Sequence, residues 1–164
     1  MNLKFKLESS DNEIKQATKE YQEIWDKDGQ NIISTIERVS GLSFPKEDIN
    51  VTIKEKPSRV EYGQITLRAS YPYNIKKSTL VHELIHILIP NKIIKEFDEP
   101  HNVIYLILFD IWQEIFGKEY AIKSVNFERS LSPRYDKCWS NVLKLSNRQR
   151  IIKFKSIINN GNKK

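Results

Sequence analysis

An α+β fold is predicted: a small antiparallel sheet packed with an N-terminal helix, a buried central helix and C-terminal helices. Three observations predict it. Short runs with an apolar residue at every second position occupy the first half of the chain, and runs with apolar residues three and four apart flank and follow them. The stretch Leu80 to Ile89 is apolar nearly all round, as a buried helix is. With 164 residues, the chain is long enough for one hydrophobic core and short for two, so a single domain over 1–164 is expected, with a basic helical part from about 129.

Each element has its own signal. Leu3, Phe5 and Leu7 alternate with polar residues and predict a strand. Ser10 with Glu13 reads as a capping box, opening a helix that carries Ile14, Ala17, Tyr21, Ile24 and Trp25 and continues through Ile32, Ile36 and Val39. Gly29 is expected to interrupt this helix and Gly41 to end it. Ile49, Val51 and Ile53, then Ile65, Leu67, Ala69 and Tyr71, form two more alternating runs; Pro57-Ser58 between them predicts an antiparallel pair. Ser78 or Thr79 is expected to cap the central helix. Pro100 suits the first turn of a helix from Val103 to Phe116 that stops at Gly117. Ser132-Pro133 and Ser146 with Gln149 mark two further helix starts.

The composition excludes several classes. The longest apolar run, Val103 to Phe109, is far short of the roughly 20 residues that span a bilayer. The start, Met-Asn-Leu-Lys-Phe-Lys-Leu, has lysines inside its apolar pattern and lacks a signal-peptide core. One cysteine, Cys138, forms no internal disulfide and suits a reducing compartment. These readings predict a soluble, cytoplasmic protein with no membrane partner. The charge of +6 is uneven. Residues 129–164 hold ten Lys or Arg against one acid, Asp136, a net +9; residues 1–128 hold 17 basic against 20 acidic groups, a net −3. The basic segment offers nucleic acid a docking surface, while a solvated helical face is the commoner use of such a run.

Chemistry is concentrated in the central helix. Its sequence, Ser78-Thr-Leu-Val-His-Glu-Leu-Ile-His-Ile-Leu-Ile-Pro90, holds two of the three histidines of the chain, four apart, with a glutamate directly after the first. On a helix, residues i and i+4 share a face about 6 Å apart along the axis, so His82 and His86 can aim at one ion. Glu83 is rotated by about 100° from His82 and stands beside that ion rather than under it, where it can take a proton from a metal-activated water. Between Leu80 and Ile89 these three are the only polar side chains, and buried polar groups need partners. One Zn2+ per chain, held by His82 and His86, would satisfy both imidazoles.

A catalytic zinc usually has three protein ligands and an open position. His101 is the remaining histidine, at the start of the next predicted helix, and is the expected third ligand; Glu99, Asp110 and Glu114 are the alternatives. Asp110 or Glu114 would otherwise suit the orientation of a ligand imidazole. An oxyanion would need a donor, and Tyr71, Tyr73, Arg134 and Tyr135 are of the right type. Cys138, in the apolar phase of its helix, reads as a buried hydrophobe and not a nucleophile.

Through His82-Glu83-Leu84-Ile85-His86 the chain resembles the zincin metallopeptidases, and its spacing to His101 is similar to that of the SprT-like group. The likeness covers about residues 60–102. Around the third histidine the chain reads Glu99-Pro100-His101-Asn102, not the glycine-flanked form common in SprT-like proteins. The resemblance implies a zincin-like fold and a strand, Gln64 to Tyr71, at the sheet edge along which an extended substrate lies. The function expected is zinc-dependent hydrolysis of peptide bonds in an intracellular protein or peptide, with Glu83 as general base. A different class, a nucleic-acid-binding protein with structural zinc, is the alternative. Three histidines without a nearby cysteine favour the open, catalytic type of site.

Overall fold

The computed structural model describes residues 1–7, 10–90, 93, 97 and 99–161. Its elements, in order, are β1 (Leu3–Lys6), α1 (Asn12–Ser40), β2 (Ile49–Lys54), β3 (Arg59–Glu61), β4 (Gln64–Arg68), α2 (Tyr73–Leu88), α3 (His101–Phe116), α4 (Lys118–Leu131), α5 (Pro133–Val142) and α6 (Asn147–Gly161). The fold is α+β. Two compact units are distinguished, one of residues 1–34 and 43–87, the other of residues 35–42 and 88–164. No helix among the described residues is long and apolar enough to cross a membrane.

In the first unit the sheet has the order β1-β2-β4-β3 and is mixed, not antiparallel. β1 runs parallel to β2 (Leu3 opposite Ile49), because α1 carries the chain back between them as a crossover. β2 is parallel to β4 (Val51 opposite Ile65), which corrects the antiparallel pairing expected of these two runs. The reversal lies elsewhere. Tyr62 and Gly63 both have positive φ, 50° and 74°, the requirement of the tight hairpin turn that folds β3 onto β4. Ile65 therefore faces Val51 on one side and Val60 on the other, so β4 is interior and β3 forms the edge. That differs from the edge position the zincin resemblance implied for residues 64–71.

Helix α1 covers this sheet. The Tyr21 hydroxyl donates to the carbonyl of Arg68 at 3.0 Å, and Trp25 Nε1 donates to Asn2 Oδ1 at 2.8 Å. Burial, followed by the nearby Tyr71 and Glu83, pushes the Tyr21 hydroxyl well above its ordinary range. Gly29 does not interrupt α1. It accommodates Trp25 one turn earlier: a Cβ at Gly29 would lie 2.8 Å from the indole. The N-terminal signal is Asp11 rather than Ser10, since Asp11 Oδ1 accepts the Glu13 N–H at 2.8 Å.

α2 begins at Tyr73, five residues before the expected cap, so Ser78 is a buried helical residue whose hydroxyl donates to the Ile75 carbonyl at 3.0 Å. Two ion pairs strap its first turns to α1: Lys76 to Glu20 at 2.5 Å and Lys77 to Asp28 at 3.0 Å. Leu80, Val81, Leu84 and Ile85 are fully buried.

The second unit is helical. α3 starts after Pro100 (φ −54°) and ends at Gly117, whose φ of 92° takes the backbone out of the helix. The sequence carries little signal for α4, because its buried stripe, Ala121, Ser124, Val125 and Glu128, has helical spacing but little large apolar surface. α5 has the expected cap, Ser132 Oγ accepting the Tyr135 N–H at 3.2 Å with Pro133 behind it. α6 has the expected reciprocal Ser146–Gln149 box, the Ser146 N–H donating to Gln149 Oε1 at 2.8 Å. Trp112, Trp139, Tyr105 and Phe154 fill the interior.

Candidate metal centre

Local sequence explains how the first two histidines are presented. α2 is apolar nearly all round, so the unit buries it and carries its few polar side chains inward: His82 is 7% exposed and Glu83 5%. His86, one turn on, is half-buried. The two rings are nearly parallel, 15° apart with centroids at 5.0 Å, and their Nε2 atoms stand 3.1 Å from one another. Nitrogens this close share either a proton or a cation. Two donors at 2.0–2.1 Å from a tetrahedral ion lie roughly 3.3 Å apart, so the pair fits a common ion.

His101 opens α3. Its Nδ1 lies 2.6 Å from Glu99 Oε1, and the same oxygen accepts its backbone N–H at 3.3 Å. Arg134, in the first turn of α5, forms an ion pair with Glu99 Oε2. The Tyr135 ring packs at 4.5 Å from the His101 ring and that of Tyr105 at 5.3 Å. His82 and His86 belong to the first unit and His101 to the second; by residue type the three are a donor set that can hold a metal ion.

The alternative ligands have other partners. Asp110 is bound by Arg150, Glu114 by Arg38, and Glu99 by His101 and Arg134. The carboxylate beside a histidine is thus Glu99, not Asp110 or Glu114. By residue type alone Glu99 reads as an alternative ligand; its place two residues before His101, ahead of a helix-starting proline, is the signal for a partner of the imidazole.

Among the proposed oxyanion donors, Tyr135 and Arg134 accompany His101, while Tyr71 lies under the Arg68 guanidinium at 5.4 Å and Tyr73 begins α2, 41% exposed. Tyr105 belongs to the core. It is fully buried, stacks on Trp139 at 4.0 Å, and burial followed by the neighbouring Glu128 pushes its hydroxyl far above the usual tyrosine range. Cys138 is buried, and burial raises its thiol pKa above the ordinary value.

The basic C-terminal segment is partly neutralised within the chain. Arg129 pairs with Asp136 at 2.5 Å, Arg150 with Asp110 at 2.6 Å, and Arg134 with Glu99. Lys137, Lys144, Arg148, Lys153 and Lys155 are exposed. No family model, curated protein or solved structure matches the chain.

Proposed function

We propose that the chain is a zinc-dependent metallopeptidase of the zincin type, with His82, His86 and His101 as ligands of one zinc ion and Glu83 as general base. Its substrate is a protein or peptide. The observation that carries this reading is the 3.1 Å approach of His82 Nε2 to His86 Nε2 on a buried helix, with Glu83 next to the first histidine. Zinc in such a site polarises the scissile carbonyl and lowers the pKa of a water towards ~7. Glu83 lies off the histidine face by about 100° of helix rotation, so it accepts a proton from the attacking water and returns it to the leaving amine. Histidine donors alone, with the one cysteine buried in α5, fit the open type of site better than a closed structural one.

Metal analysis of the purified protein tests the reading, with expected binding of one zinc per chain, its loss in His82→Ala and His86→Ala, and chelator-sensitive cleavage of an unfolded protein followed by mass spectrometry. Full zinc content in both variants would overturn it. The nucleic-acid alternative rests on the five exposed cations named above, and predicts binding to DNA that falls steeply with salt.

A further inference from the structure

Glu99 and His101 are separated by one proline, and the proline decides their geometry. Pro100 already has helical backbone angles (φ −54°, ψ −33°), so the chain enters α3 at once. The Glu99 side chain folds forward over the first turn, one oxygen on the His101 ring and the other on Arg134. Its side chain is 11% exposed and that of His101 15%, so both groups are largely withdrawn from water.

An ionised carboxylate only accepts hydrogen bonds, so in neutral His101 the 2.6 Å contact places the ring proton on Nδ1. The lone pair is then on Nε2. We infer that Glu99 is the positioning residue of the metal centre: held by Arg134, it fixes the tautomer and ring orientation of His101 so that Nε2 is presented to the metal. The inference rests on the proposal that His101 is a ligand. Carboxylate partners of this kind raise ligand basicity, and losing one costs about 10–100-fold in metal affinity. The bland alternative is a carboxylate that merely stabilises the first turn of α3, where a negative charge is favoured. The two differ in what they change: a helix-terminal contact acts on stability, a positioning contact on the ring proton and on metal affinity.

Two measurements on the full chain separate them. Imidazole nitrogen NMR of the metal-free protein reads the tautomers directly, and three histidines give only three ring systems to assign. His101 is expected in the Nδ1–H form in the unsubstituted protein; the Nε2–H form there would overturn the inference even if no variant folded. Zinc affinity is then measured by competition with a chromophoric chelator. Glu99→Ala should bind about 10–100-fold more weakly and shift His101 towards Nε2–H, and Glu99→Gln, which keeps an acceptor, should recover part of both. Arg134→Ala should weaken binding by less; unchanged affinity would remove Arg134 from the arrangement. If Glu99→Ala binds zinc as tightly as the unsubstituted chain while His101→Ala does not, Glu99 has no positioning role and the site stands. If His101→Ala also binds unchanged, the third ligand itself is wrong.

Discussion

Arg150 grips Asp110 through two nitrogens, Nη2 to Oδ1 at 2.6 Å and Nε to Oδ2 at 3.1 Å, and so joins α6 to α3. A third donor, Nη1, reaches the Leu145 carbonyl at 2.8 Å. The side chains are only 7% and 10% exposed, so the charges depend on one another. Removing one partner from a buried pair costs about 3–5 kcal/mol. Asp110→Ala is therefore expected to lower unfolding free energy in urea by about that amount while zinc content stays at the level of the unsubstituted protein. Loss of zinc from a folded Asp110→Ala protein would return Asp110 to the ligand set.

For Glu83, the isosteric change to Gln keeps shape and hydrogen-bonding capacity and removes the base. Zinc should stay bound, and cleavage should slow by at least the ~10²–10⁴-fold typical of general base catalysis. Unchanged turnover at unchanged zinc occupancy would refute the peptidase mechanism and favour a structural metal.

The Glu20–Lys76 pair has a defined pH signature. The Lys76 hydrogen bond, opposed by burial, holds the Glu20 carboxyl below the ordinary carboxylate value. A carboxyl lowered on folding contributes stability above its unfolded pKa of ~4.3, and this contribution is lost as pH falls through the folded value. The stability difference between the unsubstituted chain and Glu20→Gln should be constant from pH 7 to about 5 and shrink below ~4. A difference that grows on acidification would show that the pair does not work this way.

Cys138 should behave as a reporter of opening. Its raised thiol pKa and its burial both suppress the thiolate, so a maleimide should label the native protein far more slowly than the urea-unfolded one at pH 7.5. Equal rates would mean that α5 exposes the thiol in solution.

What was legible in the sequence follows from the physics of each element. Helices with large apolar stripes or explicit caps, such as α3, α5 and α6, were readable because their signals are local. α4 buries alanine, serine and glutamate, so its partners, not its own composition, determine its burial; Glu128, for example, accepts the Trp139 indole N–H at 2.9 Å. Strand direction was not readable. Alternation marks a strand but says nothing about its neighbour, and the short β3 directly follows Pro57-Ser58, which by themselves signal only a turn. The approach of His82 to His86 was legible from their spacing on one helix. Glu99 as the companion of His101 was not, because the contact depends on the helical backbone at Pro100 and on Arg134, 35 positions later.

The contact between Trp25 and Gly29 makes the order of substitutions matter. Alanine is the better helix former by about 1 kcal/mol, yet Gly29→Ala alone drives a methyl group against the indole and is expected to destabilise α1. After Trp25→Leu, which also removes the indole hydrogen bond to Asn2, the same alanine has space and should raise stability. The sign of one change is thus set by the other, so a side chain at Gly29 becomes acceptable only once the indole at position 25 is gone.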